Sequence, residues 1–123
     1  MINVGEINLK IFNNHFHTLT ATVILTTHQL EHIKERHPND YERFSGYIVQ
    51  ILQAPDYIVE ANKPDSAVLL KEINGNDRFQ VILRLKSKND PPDYQNSIIT
   101  FMRIGKSRYE QMIRNKKVIY KSQ

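Results

Sequence analysis

Residues 67–86 read AVLLKEINGNDRFQVILRLK, two apolar runs on either side of Asn74-Gly75-Asn76-Asp77. Asn-Gly between such runs signals a β-hairpin, because both residues tolerate the left-handed backbone of a tight antiparallel turn. In the second run the odd positions Phe79, Val81, Leu83 and Leu85 are all apolar, while Gln80, Ile82, Arg84 and Lys86 fill the even ones. Period-two spacing therefore sends Arg84 and Lys86 to the face turned away from the core.

Downstream, Lys88 to Asn96 is a polar loop containing Pro91-Pro92, and Ser97 to Ile104 is a third strand-like run. Its alternation is ambiguous, since Ile98 and Ile99 are both apolar; by parity Ser97 and Arg103 share one side and Thr100 takes the other. Lys106 to Asn115 reads as a short helix and Val118 to Lys121 as a closing strand. Upstream, Thr26 and Gln29 have capping-box spacing, predicting a helix from Thr27 to His37 that buries Leu30 and Ile33 and stops at Pro38. Asn39 or Asp40 starts a second helix, with Tyr41, Phe44, Ile48, Ile51 and Leu52 at helical spacing, ended by Ala54-Pro55-Asp56. Val4 to Phe12 and Thr18 to Leu25 read as strands joined across Asn13-Asn14. The order predicts an α+β fold, with two N-terminal helices on one face of an antiparallel sheet, preceded by a short hairpin. Residues 1–25 form that hairpin, within the same domain as residues 26–123.

A chain of 123 residues with 40% hydrophobic and 24% charged residues matches one globular domain. It has no cysteine, which excludes disulfides and thiolate metal sites. No apolar run approaches the ~20 residues of a membrane span, and no signal-peptide pattern opens the chain, so a cytoplasmic location is expected. The net charge of +4 is unevenly distributed: from Arg84 onward ten Lys or Arg face three Asp or Glu, whereas residues 1–83 hold seven against ten. A basic second half suits an anionic partner or a plain solvated surface, and charge alone does not separate the two.

The segment His32-Ile-Lys-Glu-Arg-His37-Pro38 concentrates proton-transfer and phosphate-binding groups at a helix end. His32 and Arg36, four apart, share a helix face, and His37 sits where the helix dipole favours a cation. These groups suit phosphodiester cleavage without metal, and equally suit capping of a helix end. His28, Glu31 and His32 also match the inverted zinc-protease spacing, but that chemistry needs a third protein ligand and a substrate cleft that 123 residues can hardly supply, so no metal is expected. Lys71, Arg84 and Arg103 each emerge from apolar strands. They form either a solvated face or a phosphate clamp, for which the planar guanidinium is well shaped.

The succession HIKERHP (32–38), APDYI (54–58), LLKEI (69–73), VILRL (81–85), NSIITFMRI (96–104) and RYEQMIRNKKVIYK (108–121) resembles the phage-associated barnase–EndoU–colicin–RelE-like nucleases. The resemblance runs from about Thr26 to Lys121. It implies a small α+β nuclease of phage, mobile-element or toxin origin that cleaves RNA without metal or cofactor. The resemblance points to His32, His37, Lys71, Arg84 and Thr100 as catalytic groups, and to Arg36, Ser97 and Arg103 as substrate contacts, to which the strand alternation adds Lys86. The expected mechanism is a hydrolase-type endoribonuclease attack by the substrate's 2′-hydroxyl. His32 would take its proton, His37 or Lys71 would protonate the leaving 5′-oxygen, and Arg84 with Arg36 would stabilise the phosphorane. RNA, including tRNA, is the expected partner, together with a cognate immunity or antitoxin protein. A non-catalytic RNA- or protein-binding module of the same origin is the alternative. What separates the two is whether His32 and His37 face the same concave basic surface as Arg84.

Overall fold

The hairpin read from residues 67–86 is the centre of a seven-stranded sheet in the computed structural model, which describes residues 1–123. Its strands, β4 (Ser66–Ile73) and β5 (Asp77–Arg84), pair antiparallel from Ile73 opposite Asp77 to Ser66 opposite Arg84. Asn74 and Gly75 take φ of 58° and 72° in the turn, the left-handed values that this dipeptide accommodates. The remaining strands are β1 (Ile2–Glu6), β2 (Thr22–Leu25), β3 (Tyr57–Glu60), β6 (Asn96–Ile104) and β7 (Val118–Lys121). The helices are α1 (Leu9–Phe12), α2 (Thr27–Arg36), α3 (Asp40–Phe44), α4 (Ile48–Gln53) and α5 (Lys106–Asn115). The strand order is β1-β2-β6-β5-β4-β3-β7.

This is the expected α+β class, but its arrangement differs from the sequence reading. The sheet is mixed, because β2 runs parallel to β6 while the other neighbours are antiparallel. The N-terminal segment is not a tight hairpin: β1 and β2 pair antiparallel, but α1 intervenes, its N-terminus capped by the Asn8 side chain accepting from the Lys10 and Ile11 N–H groups. Helices cover both sheet faces. Residues of α1 to α4 join Phe79, Val81 and Leu83 in the larger core, whereas Tyr109 and Met112 of α5 pack with Val59, Val68 and Leu70 on the opposite side. Ala67 to Leu70 are consequently buried along both faces, as expected for a strand covered twice.

Thr26 caps α2 through its hydroxyl, which accepts from the Gln29 N–H at 3.1 Å. The helix ends at Arg36, and His37 is its C-cap. The predicted second helix is broken into α3, a 3₁₀ turn at Ser45–Tyr47 and α4; Ser45 and Gly46, poor helix formers, occupy the break.

The larger core is organised around Phe79. Its ring stacks on Phe101 at 5.9 Å, meets Phe44 edge-on at 5.1 Å and lies 5.6 Å from Tyr47. Phe79→Ala should therefore cost about 3–5 kcal/mol of folding stability, read as a fall in the urea midpoint. Ile82→Ala, on the same strand but half-buried on the other face, should cost clearly less.

Candidate nucleic-acid interface

Helix α5 covers only part of its sheet face, and between it and the strands lies a cleft of about 640 Å³. Gln80, Ile82 and Arg84 of β5 form its floor with Val68 and Ile99, and the segment Ala61 to Pro64 closes one side. Arg108 and Met112 stand one helical turn apart on α5, with the C-cap Lys116 a further turn along, so one helix face supplies the opposite wall. Four cations line the cleft, Lys63, Arg84, Arg108 and Lys116, and no Asp, Glu, His or Cys does. Such a single-sign concavity over a low-dielectric floor concentrates anions.

Arg84 is held in place from outside the cleft. Its two terminal nitrogens donate to the Asp90 carboxylate at 3.2 and 3.1 Å, one also donates to the Leu85 carbonyl, and the guanidinium lies over the Tyr94 ring at 5.3 Å. Asp90 also accepts the Ser87 N–H at 2.7 Å. That backbone hydrogen bond, with the Arg84 hydrogen bond and charge, holds the Asp90 carboxyl below its ordinary range. Lys116 donates to the Asn62 side chain at 3.2 Å. Near the N-terminus of α5, burial and then the Asp56 carboxylate push the Tyr109 phenol above its usual range, keeping it neutral.

A bulge decides which predicted residues join Arg84. Leu83 pairs with Ile98 but Ile82 pairs with Thr100, leaving Ile99 as the extra residue. Sidedness reverses across it, so Ser97 opposite Arg84 and Thr100 opposite Ile82 share the cleft's face, and Arg103 opposite Phe79 is turned to the other. The parity reading, which grouped Ser97 with Arg103, is corrected by this one residue. Lys86 follows Arg84 and donates to the Pro92 carbonyl at 2.6 Å, tying down the Pro-Pro loop.

The other predicted residues gather elsewhere. Lys71, opposite Phe79 on the face covered by α1 to α4, is ion-paired to Asp56 at 3.2 Å. Arg103 lies over the Phe44 ring at 5.6 Å and pairs with Asp77 at 3.2 Å. His32 and Arg36 are exposed on α2, and His37 is half-buried, its N–H donating to the Ile33 carbonyl at 2.8 Å. Helix α2 packs with Phe79's side of the sheet, so the helix-end trio and Arg84 occupy opposite faces. Arg103 and Ser97 are also separated along β6 by the span from Phe79 to Arg84, ~17 Å at strand rise. His28, Glu31 and His32 belong to no metal-binding cluster of three such side chains. Sequence reading did not single out Lys63, Arg108, Lys116 or Gln80, although the four-residue spacing of Arg108, Met112 and Lys116 was visible.

A family model described as phage-Barnase-EndoU-ColicinE5/D-RelE like nuclease2 matches residues 4–121, including the N-terminal segment that the motifs left out. No curated protein and no solved structure matches the chain.

Because the folded-state Asp90 carboxyl titrates below 3.8, its stabilising contribution is fully present above that value and is lost as pH falls through the lowered one. Asp90→Asn should therefore melt below the wild type at neutral pH, and the two should converge in strong acid. Thermal melts at the two extremes check this.

Proposed function

The chain belongs to the phage-Barnase-EndoU-ColicinE5/D-RelE like nuclease2 family, and from that premise we propose that it is an endoribonuclease working in the cleft beside α5. The observation that carries this reading is the lining of four cations without a carboxylate. Phosphodiester cleavage builds negative charge on phosphorus oxygens, and fixed guanidinium and ammonium donors stabilise that charge without reorganising. The same lining repels a divalent cation and offers it no carboxylate, imidazole or thiolate, which supports a reaction that needs no metal. RNA supplies its own nucleophile: the 2′-hydroxyl gives its proton to solvent water, and its oxygen bonds to the adjacent phosphorus as the P–O5′ bond breaks. The products are a 2′,3′-cyclic phosphate and a 5′-hydroxyl.

In this scheme Arg84, fixed by Asp90, and Arg108, which has no ion-pair partner, hold the phosphate. Lys116, a cleft cation held by the Asn62 side chain, gives a proton to the leaving 5′-oxygen in this reading. Ser97 and Thr100 support Arg84's strand from the same face. His32, Arg36 and His37 lie on the other face, and the proposal gives them no proton to move. An immunity or antitoxin protein would act by filling the cleft.

One observation favours a second reading, that of a non-catalytic RNA-binding module: no histidine or carboxylate lines the cleft to act as general base. Incubation with tRNA and total RNA in excess EDTA separates the two. Cleavage leaving 2′,3′-cyclic phosphate ends supports the nuclease; salt-dependent binding with intact RNA supports the module.

Lys116→Ala should lower the cleavage rate by roughly 10²–10⁴-fold, whereas His32→Ala and His37→Ala should cut at the wild-type rate. Rate loss confined to the histidine variants would move the reaction to the α2 end. Arg108→Ala should reduce the slope of log affinity against log salt by about 0.7, the share of one single-strand phosphate contact, in a titration from low to physiological salt.

A further inference from the structure

We infer that the cleft floor is a nucleobase pocket in which the Gln80 carboxamide reads the edge of an unstacked base. The inference rests on the RNA reading above. Gln80 is only 4% exposed, lines the cleft, and its side-chain oxygen has no hydrogen-bond partner. Its cross-strand neighbours are Leu70 and Met102, whose side chains offer no donor that could satisfy it. A buried amide oxygen left unmet is destabilising, and an apolar residue there would avoid the cost. The position therefore makes physical sense when a ligand completes it.

The surroundings specify that ligand. Val68, Ile82, Ile99 and Met112 give the amide an apolar, polarisable bed suited to the flat face of an aromatic ring. Lys63, Arg84, Arg108 and Lys116 line the same cleft, and a bound base's own sugar-phosphate would be held by them. A carboxamide presents one acceptor and two donors side by side, and it matches the paired donor and acceptor groups on a nucleobase edge. Single-stranded RNA offers such edges, because its bases can be splayed from the stack. The cleft volume of about 640 Å³ lies within the usual range for small-molecule pockets. Gln80 is thus a specificity-determining residue, acting on the base rather than on the reacting phosphorus.

The test uses 2′-O-methyl oligomers of A, C and U, which lack the attacking hydroxyl, and an abasic oligomer of equal charge. Wild-type protein should bind at least one base-bearing oligomer roughly tenfold more tightly than the abasic one, the size of a good base contact. Gln80→Leu should erase most of that advantage and leave the salt slope unchanged. In the unsubstituted protein, the Gln80 side-chain amide resonances should shift on adding nucleoside monophosphates and stay fixed on adding ribose 5-phosphate, a readout independent of how the variant folds. Equal binding of abasic and base-bearing oligomers, or unmoved Gln80 resonances, overturns the base pocket and leaves the RNA reading standing. Failure of every oligomer to bind overturns the RNA reading, and the base pocket with it.

Discussion

Strand β5 has to satisfy two different environments at once, and the rest of the fold follows from how it does so. Phe79, Val81 and Leu83 are fully buried beneath the helices, so the strand cannot slip by one residue without exposing all three. That fixed register turns Gln80, Ile82 and Arg84 to the opposite face, where α5 covers only part of the sheet. The helix-covered side is thereby the core wall, and the half-covered side is the surface on which a ligand can sit. The family match, spanning residues 4–121, includes the elements of both faces.

The pairing of Arg84 with Asp90 links the cleft to the loop that follows β5. Asp90 accepts from both the Arg84 guanidinium and the Ser87 N–H, so the loop is tied to the residue that faces the cleft. The pair neutralises part of Arg84's charge, and a phosphate competing for the guanidinium would have to share it with Asp90. Lys63 and Arg108 have no carboxylate partner, and Lys116 is bonded only to a neutral amide. They supply the unbalanced charge, and Arg84 supplies a fixed direction. Preorganised donors contribute most where they are held without help from the ligand.

Much of this architecture was legible in the chain. The Asn74-Gly75 turn, the alternation of Phe79 to Leu85 and the Thr26 cap each rest on short-range chemistry, and each is present. The misreadings arose where two local signals competed. Ile7, Leu9 and Ile11 alternate like a strand, yet Asn8 starts a helix turn beneath them by accepting the Lys10 and Ile11 N–H groups. Tyr57–Glu60, only four residues long, gave too little pattern to be assigned, although it pairs with strands on both sides. The parallel β2–β6 contact joins residues more than seventy positions apart, a tertiary choice that no window of sequence contains. Bulge formation at Ile99 was hidden because Ile98 and Ile99 are equally apolar, and that single residue reassigned Ser97, Thr100 and Arg103.

The histidine-rich end of α2 illustrates the difference between density of chemical groups and convergence of them. Lys34 and Arg36 occupy the last turn of that helix, where cations are favoured by the helix dipole whatever else they do, and Lys34 faces Glu42 across solvent at 3.8 Å. His37 caps the helix through its backbone, a role open to almost any side chain. Proximity in sequence placed these groups together, and what α3 brings to them, Glu42 and the Tyr41 ring, meets Lys34. In the cleft the reverse holds. Lys63, Arg84, Arg108 and Lys116 come from three separate stretches of the chain, and only the folded sheet and α5 bring them around one orphaned carboxamide. A ligand bound by such a set must contact groups that are dispersed in sequence and joined by the fold. That dependence couples recognition to the integrity of β5, the element on which both the core and the cleft floor are built.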